Sequence, residues 1–114
     1  MKKIGLITIT YNSAHLIEPF LKCVLAQTHT NFILYIIDNI SSDNTLERIA
    51  KYKDERIVPI ANTTNVGVAA GNNQGIKMAM NDNCDELLII NNDVEFENTL
   101  LEKLTAQLIE LQCS

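Results

Sequence analysis

Four short apolar runs, separated by segments of helical period, constrain this chain more than any other feature. They are KIGLITIT (3–10), FILYIID (32–38), RIVPI (56–60) and ELLIIN (86–91). Each is nearly continuous, rich in β-branched residues and too short for a helix. That is the pattern of parallel strands covered on both faces, and Leu87 to Ile90 reads as a strand buried on both faces. Between the runs, apolar residues recur at helical spacing. Leu16, Phe20, Leu21, Val24 and Leu25 share one face. Leu46, Ile49 and Ala50 follow the start signal SSDN, and a third pattern covers 68–80. A last helix carries Leu101, Leu104, Leu108 and Leu111, with Asn98 as its cap. Pro19 implies a first helix whose first turn starts later than Ser13 suggests.

This βαβαβαβα alternation predicts an α/β fold, a Rossmann-like three-layer α/β/α arrangement with a mostly parallel sheet. Proline cannot donate to a strand ladder, so Pro59 sends the third strand to a sheet edge. Right-handed crossovers then give the strand order 3-2-1-4. A chain of 114 residues, without repeat or linker, reads as a single domain over 1–114 that can bury a core without staples.

The polar residues then fall into place. The first run ends in Thr8, Thr10, Tyr11 and Asn12, and the second in Asp38 and Asn39, followed by Ser41, Ser42 and Asp43. The third leads to Asn62 and Asn65, and the fourth to Asn91, Asn92 and Asp93. In a parallel sheet these ends share one rim, and ligands of open α/β sheets bind there, where the strand order reverses. The first and fourth strands flank that point, so Asp38 and Asp93 can face one crevice.

Several of these residues also have a purely structural reading. Ser42 and Asp43 suit a helix cap, Asn12 and Ser13 a turn and cap, and Asn65-Val66-Gly67 a loop whose glycine takes a positive φ. Asp38 and Asp93 differ, because a carboxylate that ends a buried strand is costly unless paired. In the third helix Gly71 and Gly75 stand one turn apart, which suits close packing on the sheet. Asn72, Asn73 and Gln74 between them suit a polar wall to the crevice.

Composition narrows the chemistry. A net charge of −5 disfavours non-specific nucleic-acid binding. Cys23, Cys84 and Cys113, an odd set without C-x-x-C, fit a reducing cytoplasm. His15 and His29 supply no zinc site. No apolar run is long enough to span a bilayer, and MKKIGLITIT lacks the apolar core and cleavage site of a signal peptide. The phosphate-binding G-x-G-x-x-G and G-x-x-x-x-G-K-[ST] patterns and the G-x-S-x-G elbow are absent, so phosphate would be held through a metal.

With these residues in register, the chain resembles the donor-binding half of family 2 glycosyltransferases, which have a GT-A fold. The matching pieces are ITITYNS, LAQTHTNFILYIIDNISSDNT, NTTNVGVAAGNNQGI and LLIINNDVEF, in the family's order over most of 4–97. The resemblance implies transfer of a sugar from a nucleoside-diphosphate sugar, UDP- or dTDP-linked, to an acceptor hydroxyl with inversion. It implies that Asp38 reads the base, for which a carboxylate suits the imide N–H of uracil or thymine. Thr10 and Tyr11 would lie against base and ribose, and Asn12, Asn65, Gly67, Asn72, Asn73 and Asn92 would complete the nucleotide site. Asp93, on a D-x-D-like motif written here as Asn91-Asn92-Asp93, would hold Mg²⁺ or Mn²⁺ against the diphosphate.

The family's acceptor half and general base follow that motif, and here one helix ending at Ser114 follows it. The general base is therefore expected beyond Ser114, and the chain is expected to be truncated and to bind donor without transferring it. Glu95 and Glu97 are not assigned as base. The full enzyme would act in cell-envelope polysaccharide synthesis, in the cytoplasm or at the inner membrane face, on a saccharide or lipid-linked acceptor. Homo-oligomers are expected if truncation exposes apolar surface. Two rivals stand beside this reading: a non-catalytic nucleotide-binding module, and a receiver-like Mg²⁺ domain. The second would need paired acids after strand one, where Thr10, Tyr11 and Asn12 stand.

Overall fold

A computed structural model describes residues 2–105 of the chain. Four parallel strands form one sheet: β1 (Ile4–Thr10), β2 (Phe32–Asp38), β3 (Ile57–Ala61) and β4 (Glu86–Ile89). Their order is β3-β2-β1-β4, the expected 3-2-1-4. The helices are α1 (Ala14–Leu25), α2 (Thr45–Ala50) and α3 (Gly67–Asn81), with helical backbone again over 100–105. Pro59 sits in β3, opposite Ile36, with an unpaired edge beyond it.

Alternation along the strands divides the core into two layers. Leu6, Leu34 and Ile36 face one side and pack with Ile17, Phe20, Ile49 and Leu101. Ile7, Tyr35 and Ile37 face the other and pack with Ala79 of α3. Gly71 and Gly75 let α3 settle onto the sheet: a Cβ at Gly75 would lie 2.6 Å from Ile7 Cγ2, and one at Gly71 2.8 Å from Ile9 Cδ1. The close-packing reading of these glycines therefore holds.

Local expectations need correction at several places. Leu87 and Ile89 are 41% and 50% exposed rather than buried, because β4 is an edge strand and α3 packs mainly over β1 and β2. The ladder stops at Ile89, although Ile90 N still donates to Ile7 O at 2.9 Å. In α1, Ile17 joins Phe20, Leu21 and Val24 in the core, while Leu16 and Leu25 are half-buried. Pro19 lies inside α1 and does not delay its start, since Ile17 N already bonds Ser13 O. The position is exposed, so water can take up the carbonyl that proline leaves unbonded. Before the last helix, the Asn98 carbonyl accepts from Thr28 N, while Lys103 N bonds Thr99 O. Leu108, Leu111, Cys113 and Ser114 lie outside the described residues, and with them the expectation of a general base beyond Ser114.

Candidate functional site

The carboxyl ends of β1 and β4 open onto a cleft of about 430 Å³, within the usual size of small-molecule sites. Thr8 from β1, Tyr11 and Ser13 from the loop after it, Leu16 from α1, Val68 and Asn72 from α3, and Asn91, Asn92 and Asp93 after β4 line it. Of the residues singled out in the sequence, this brings Tyr11, Asn72, Asn92 and Asp93 together. Thr10, Asn12, Asp38, Asn65, Gly67 and Asn73 do not line that cleft.

Tyr11 is 55% exposed and stands at the mouth. Asn92 turns its amide back to β1: Nδ2 donates to Thr8 Oγ1 at 3.1 Å and to Ile9 O at 2.7 Å. Asp93 follows directly, exposed, and no ion pair with it is found among the described residues. The fourth strand therefore runs into an amide that fixes the turn and a carboxylate that the turn presents. Asn72 Oδ1 is buried without a hydrogen-bond partner, which leaves an acceptor in the cleft wall open to a donor.

Asp38 is on the same rim, one strand away, in register with Thr10. It is 1% exposed. Its Oδ1 accepts from the hydroxyls of Thr10 and Ser41, both at 2.6 Å, and its Oδ2 accepts from Ser41 N at 3.0 Å. The expectation that Asp38 faces a common crevice with Asp93 is corrected to this extent: the two share a rim, and the Asp38 carboxylate is turned into the β2–α2 turn. That turn is tight, with Ile40 at φ 55°, an outlying conformation for a β-branched residue.

Asn12 is held in a similar way. At φ 50°, it donates its N–H to Ser41 Oγ and accepts from Ser42 N at 2.8 Å, tying the β1–α1 loop to the β2–α2 loop. Asp43 adds a second tie. Its Oδ2 accepts from Ala14 N at 3.2 Å and its Oδ1 from Thr45 N at 3.0 Å and from the Thr45 hydroxyl. The Thr45 hydroxyl, followed by backbone N–H groups, holds its carboxyl below the usual range. Asp43 is not itself the N-cap of α2, which is Asn44, but its carboxylate meets the first N–H of both α1 and α2. Gly67 has φ +83° and its N–H bonds Asn65 Oδ1 at 2.9 Å, as a loop glycine would. Asn65 and Asn73 are exposed, and Gln74 pairs with Asn62 through two 2.9 Å bonds. The amides of α3 thus split: Asn72 faces the cleft, Asn73 faces solvent, and Gln74 holds the 62–67 loop.

Two further acids follow Asp93. Glu97 pairs with Lys103 at 2.6 Å, and the ammonium holds its carboxyl below the usual range. Glu95 lies with Leu16, Pro19 and Asp93 around a smaller neighbouring cavity of about 100 Å³. Among the described residues no group of three His, Cys, Asp or Glu could hold a metal alone. A lone carboxylate fits a hard cation that takes its other ligands from phosphate and water, and does not fit an all-protein cage. Val68 and Leu16 entered the site unannounced, since both read in the sequence as ordinary apolar positions of helices.

The family model of glycosyl transferase family 2 matches residues 6–113. A UDP-Glc:alpha-D-GlcNAc-diphosphoundecaprenol beta-1,3-glucosyltransferase of Escherichia coli, WfgD, is 34% identical over 76 residues, covering 67% of this chain and 30% of that protein. The chain thus spans about a third of the length of the first curated relatives it matches. Among solved structures, S. aureus TarS 1–349 in complex with UDP-GlcNAc has a TM-score of 0.82 at 24% identity, over 95% of this chain and 31% of that one. A mannosyltransferase of Pyrobaculum calidifontis, solved with GDP-Man and Mn²⁺, has a TM-score of 0.74 at 22% identity, over 82% and 28%. These structural likenesses establish the fold.

Proposed function

The chain belongs to glycosyl transferase family 2, and on that premise we propose that residues 1–114 form the nucleotide-sugar-binding part of a glycosyltransferase. The observation that carries this reading is the cleft in which Tyr11, Asn72, Asn92 and Asp93 meet. Its donor would be a nucleoside-diphosphate sugar, UDP- or dTDP-linked. Tyr11 at the mouth offers a ring face for base or ribose. Asn72, with its unsatisfied buried oxygen, offers an acceptor to a ligand hydroxyl or N–H. Thr10, Asn12 and Asp38 hold the base end of the rim as one hydrogen-bonded unit. Among the described residues Asp38 Oδ2 takes Ser41 N alone, which leaves it capacity for an imide N–H. Asn65, Gly67 and Asn73 would line the approach beside it.

Asp93 would hold Mg²⁺ or Mn²⁺, with the Asn92 turn setting its position. Bound there, the cation would neutralise charge on the departing diphosphate. An acceptor hydroxyl would attack the anomeric carbon from the face opposite that diphosphate, inverting it. No described residue is assigned as general base, since Glu97 is held by Lys103. The base and the acceptor pocket are proposed to lie in a further part of the protein, beyond Ser114, and donor binding to be what these residues achieve alone. The acceptor is proposed to be a saccharide or lipid-linked saccharide of the cell envelope, met at the cytoplasmic membrane face. The relative named above, which acts on a diphosphoundecaprenol-linked substrate, favours this choice. Among the described residues no helix is long and apolar enough to cross a membrane. Self-association through the exposed Leu87 and Ile89 of β4 belongs to the same proposal.

Calorimetry with UDP tests this reading. Affinity should rise when Mn²⁺ is added, and Asp93→Asn should remove the rise while leaving uridine binding unchanged. A rise of equal size in the variant would refute the metal role.

A further inference from the structure

The turn that presents Asp93 is anchored at both ends by side-chain amides, and one of these lies outside the cleft. At the near end Asn92 Nδ2 holds Thr8 Oγ1 and Ile9 O. At the far end stands Gln27, just past α1 and 3% exposed. Its Nε2 donates to Cys23 O at 3.1 Å and to Glu97 O at 2.8 Å, and its Oε1 accepts from Leu101 N at 3.1 Å. One side chain thus joins a C-terminal carbonyl of α1, the segment after Asp93 and the start of the last helix. Thr28 N reinforces it with a 2.8 Å bond to Asn98 O. Between the anchors, Phe96 meets Phe20 edge-on at 6.2 Å.

We infer that Gln27 is a positioning residue for Asp93, fixing the far end of the 92–97 span so that the carboxylate stays at the cleft. Only four peptide steps separate Asp93 from Glu97, so release at 97 leaves the far side of the span to the Thr28–Asn98 bond and the Phe96 contact. Glutamine suits the task because it is the only neutral side chain besides asparagine with two donors and an acceptor on one planar group, and its extra methylene adds reach. Leucine fills a similar volume and can bond none of the three backbone groups. The inference rests on the donor-site reading, in which Asp93 is the carboxylate that needs placing.

The test compares the full chain with Gln27→Leu and with Ile57→Ala, a destabilised control in β3, at the opposite edge of the sheet from β4. Amide exchange is followed across 93–97, and calorimetry measures uridine, UDP and UDP with Mn²⁺. Gln27→Leu should speed exchange in that span and shrink the Mn²⁺-dependent gain in UDP affinity, each about tenfold, the scale of one or two net hydrogen bonds. Uridine affinity should stay unchanged, and Ile57→Ala should move neither readout. Equal behaviour of the two variants would reduce Gln27 to an ordinary stabilising residue and overturn the inference. If Gln27→Leu does not fold, Gln27→Asn, which keeps the amide but loses its reach to Glu97 O, must show the same two effects or the inference fails. Wild-type protein that gains no UDP affinity from Mn²⁺ overturns the metal role of Asp93 and the positioning role with it. The exchange arm then still decides whether Gln27 anchors the span.

Discussion

Replacing the two glycines of α3 by alanine should give different results, although both gain the same helix propensity. That gain is about 1 kcal/mol at either site. The opposing cost depends on what the new methyl meets. At Gly75 it would lie 2.6 Å from Ile7 Cγ2, 3.0 Å from Cγ1 and 3.4 Å from Cβ. Ile7 is fully buried in β1, and a β-branched side chain there has little freedom at χ1. The helix must lift, at the roughly 2–3 kcal/mol typical of the harder overpacking cases. Gly75→Ala should therefore be destabilised by about 1–2 kcal/mol. At Gly71 the close atom is Ile9 Cδ1 at 2.8 Å, the far end of a half-buried side chain, and the next contacts are ordinary at 3.6 and 3.7 Å. Rotation of Ile9 relieves that contact, and Gly71→Ala should fall within about 0.5 kcal/mol of wild type. Urea unfolding separates them, with midpoints about 1 M apart at the slope usual for small proteins. Lifting α3 also moves Asn72 away from the cleft, so Gly75→Ala should weaken UDP binding as well. A Gly75→Ala protein as stable as wild type, beside a weakened Gly71→Ala, would show that α3 does not rest on Ile7 as described.

Asp38→Ala should lower stability by about 2–4 kcal/mol, because it strands the buried Thr10 hydroxyl and Ser41 N–H. UDP binding should vanish in the same variant; retained binding, measured by calorimetry on folded protein, would remove Asp38 from the site. Burial, then the hydrogen bond to Asp82, pushes the Tyr35 hydroxyl far above its usual range. A folded-state pKa above the unfolded one contributes stability that is fully present below pH ~10 and lost as pH rises beyond it. Alkaline unfolding monitored by circular dichroism should thus begin near that pH, and Tyr35→Phe should flatten the loss; an unchanged profile would refute the assignment.

The strand order and the rim were legible because each followed from a local signal with a single consequence. Apolar runs of strand length fixed the layers, and Pro59 fixed an edge. What failed was burial along β4. Leu87 and Ile89 look identical in composition to the core runs, and only the lateral placement of α3 over β1 and β2 leaves them uncovered. Hydrophobicity reports what a residue would gain from burial and says nothing about which neighbour covers it.

Of the candidate site, the shared rim was legible in the sequence and the orientation of its side chains was not. Asp38 and Asp93 each end a strand, and from sequence they look equivalent. Their surroundings divide them. Asp38 is followed by a turn whose Ser41 N–H and hydroxyl fold back within bonding reach, and β1 sets the Thr10 hydroxyl beside it. Asp93 is preceded by an amide that satisfies β1 in its place, so the carboxylate has no internal donor to seek. Here the rim carboxylate left free for a ligand is the one whose neighbouring side chain has already met the backbone's needs. The same reasoning makes Asn92 more than a spacer. Its donors are essential to the geometry, and Asn92→Asp would replace them with acceptors facing Thr8 and Ile9 O. Electrostatics alone would count the extra charge as a stronger cation site. The hydrogen-bond geometry predicts the opposite: a turn pushed off β1, and weaker Mn²⁺-dependent UDP binding than wild type.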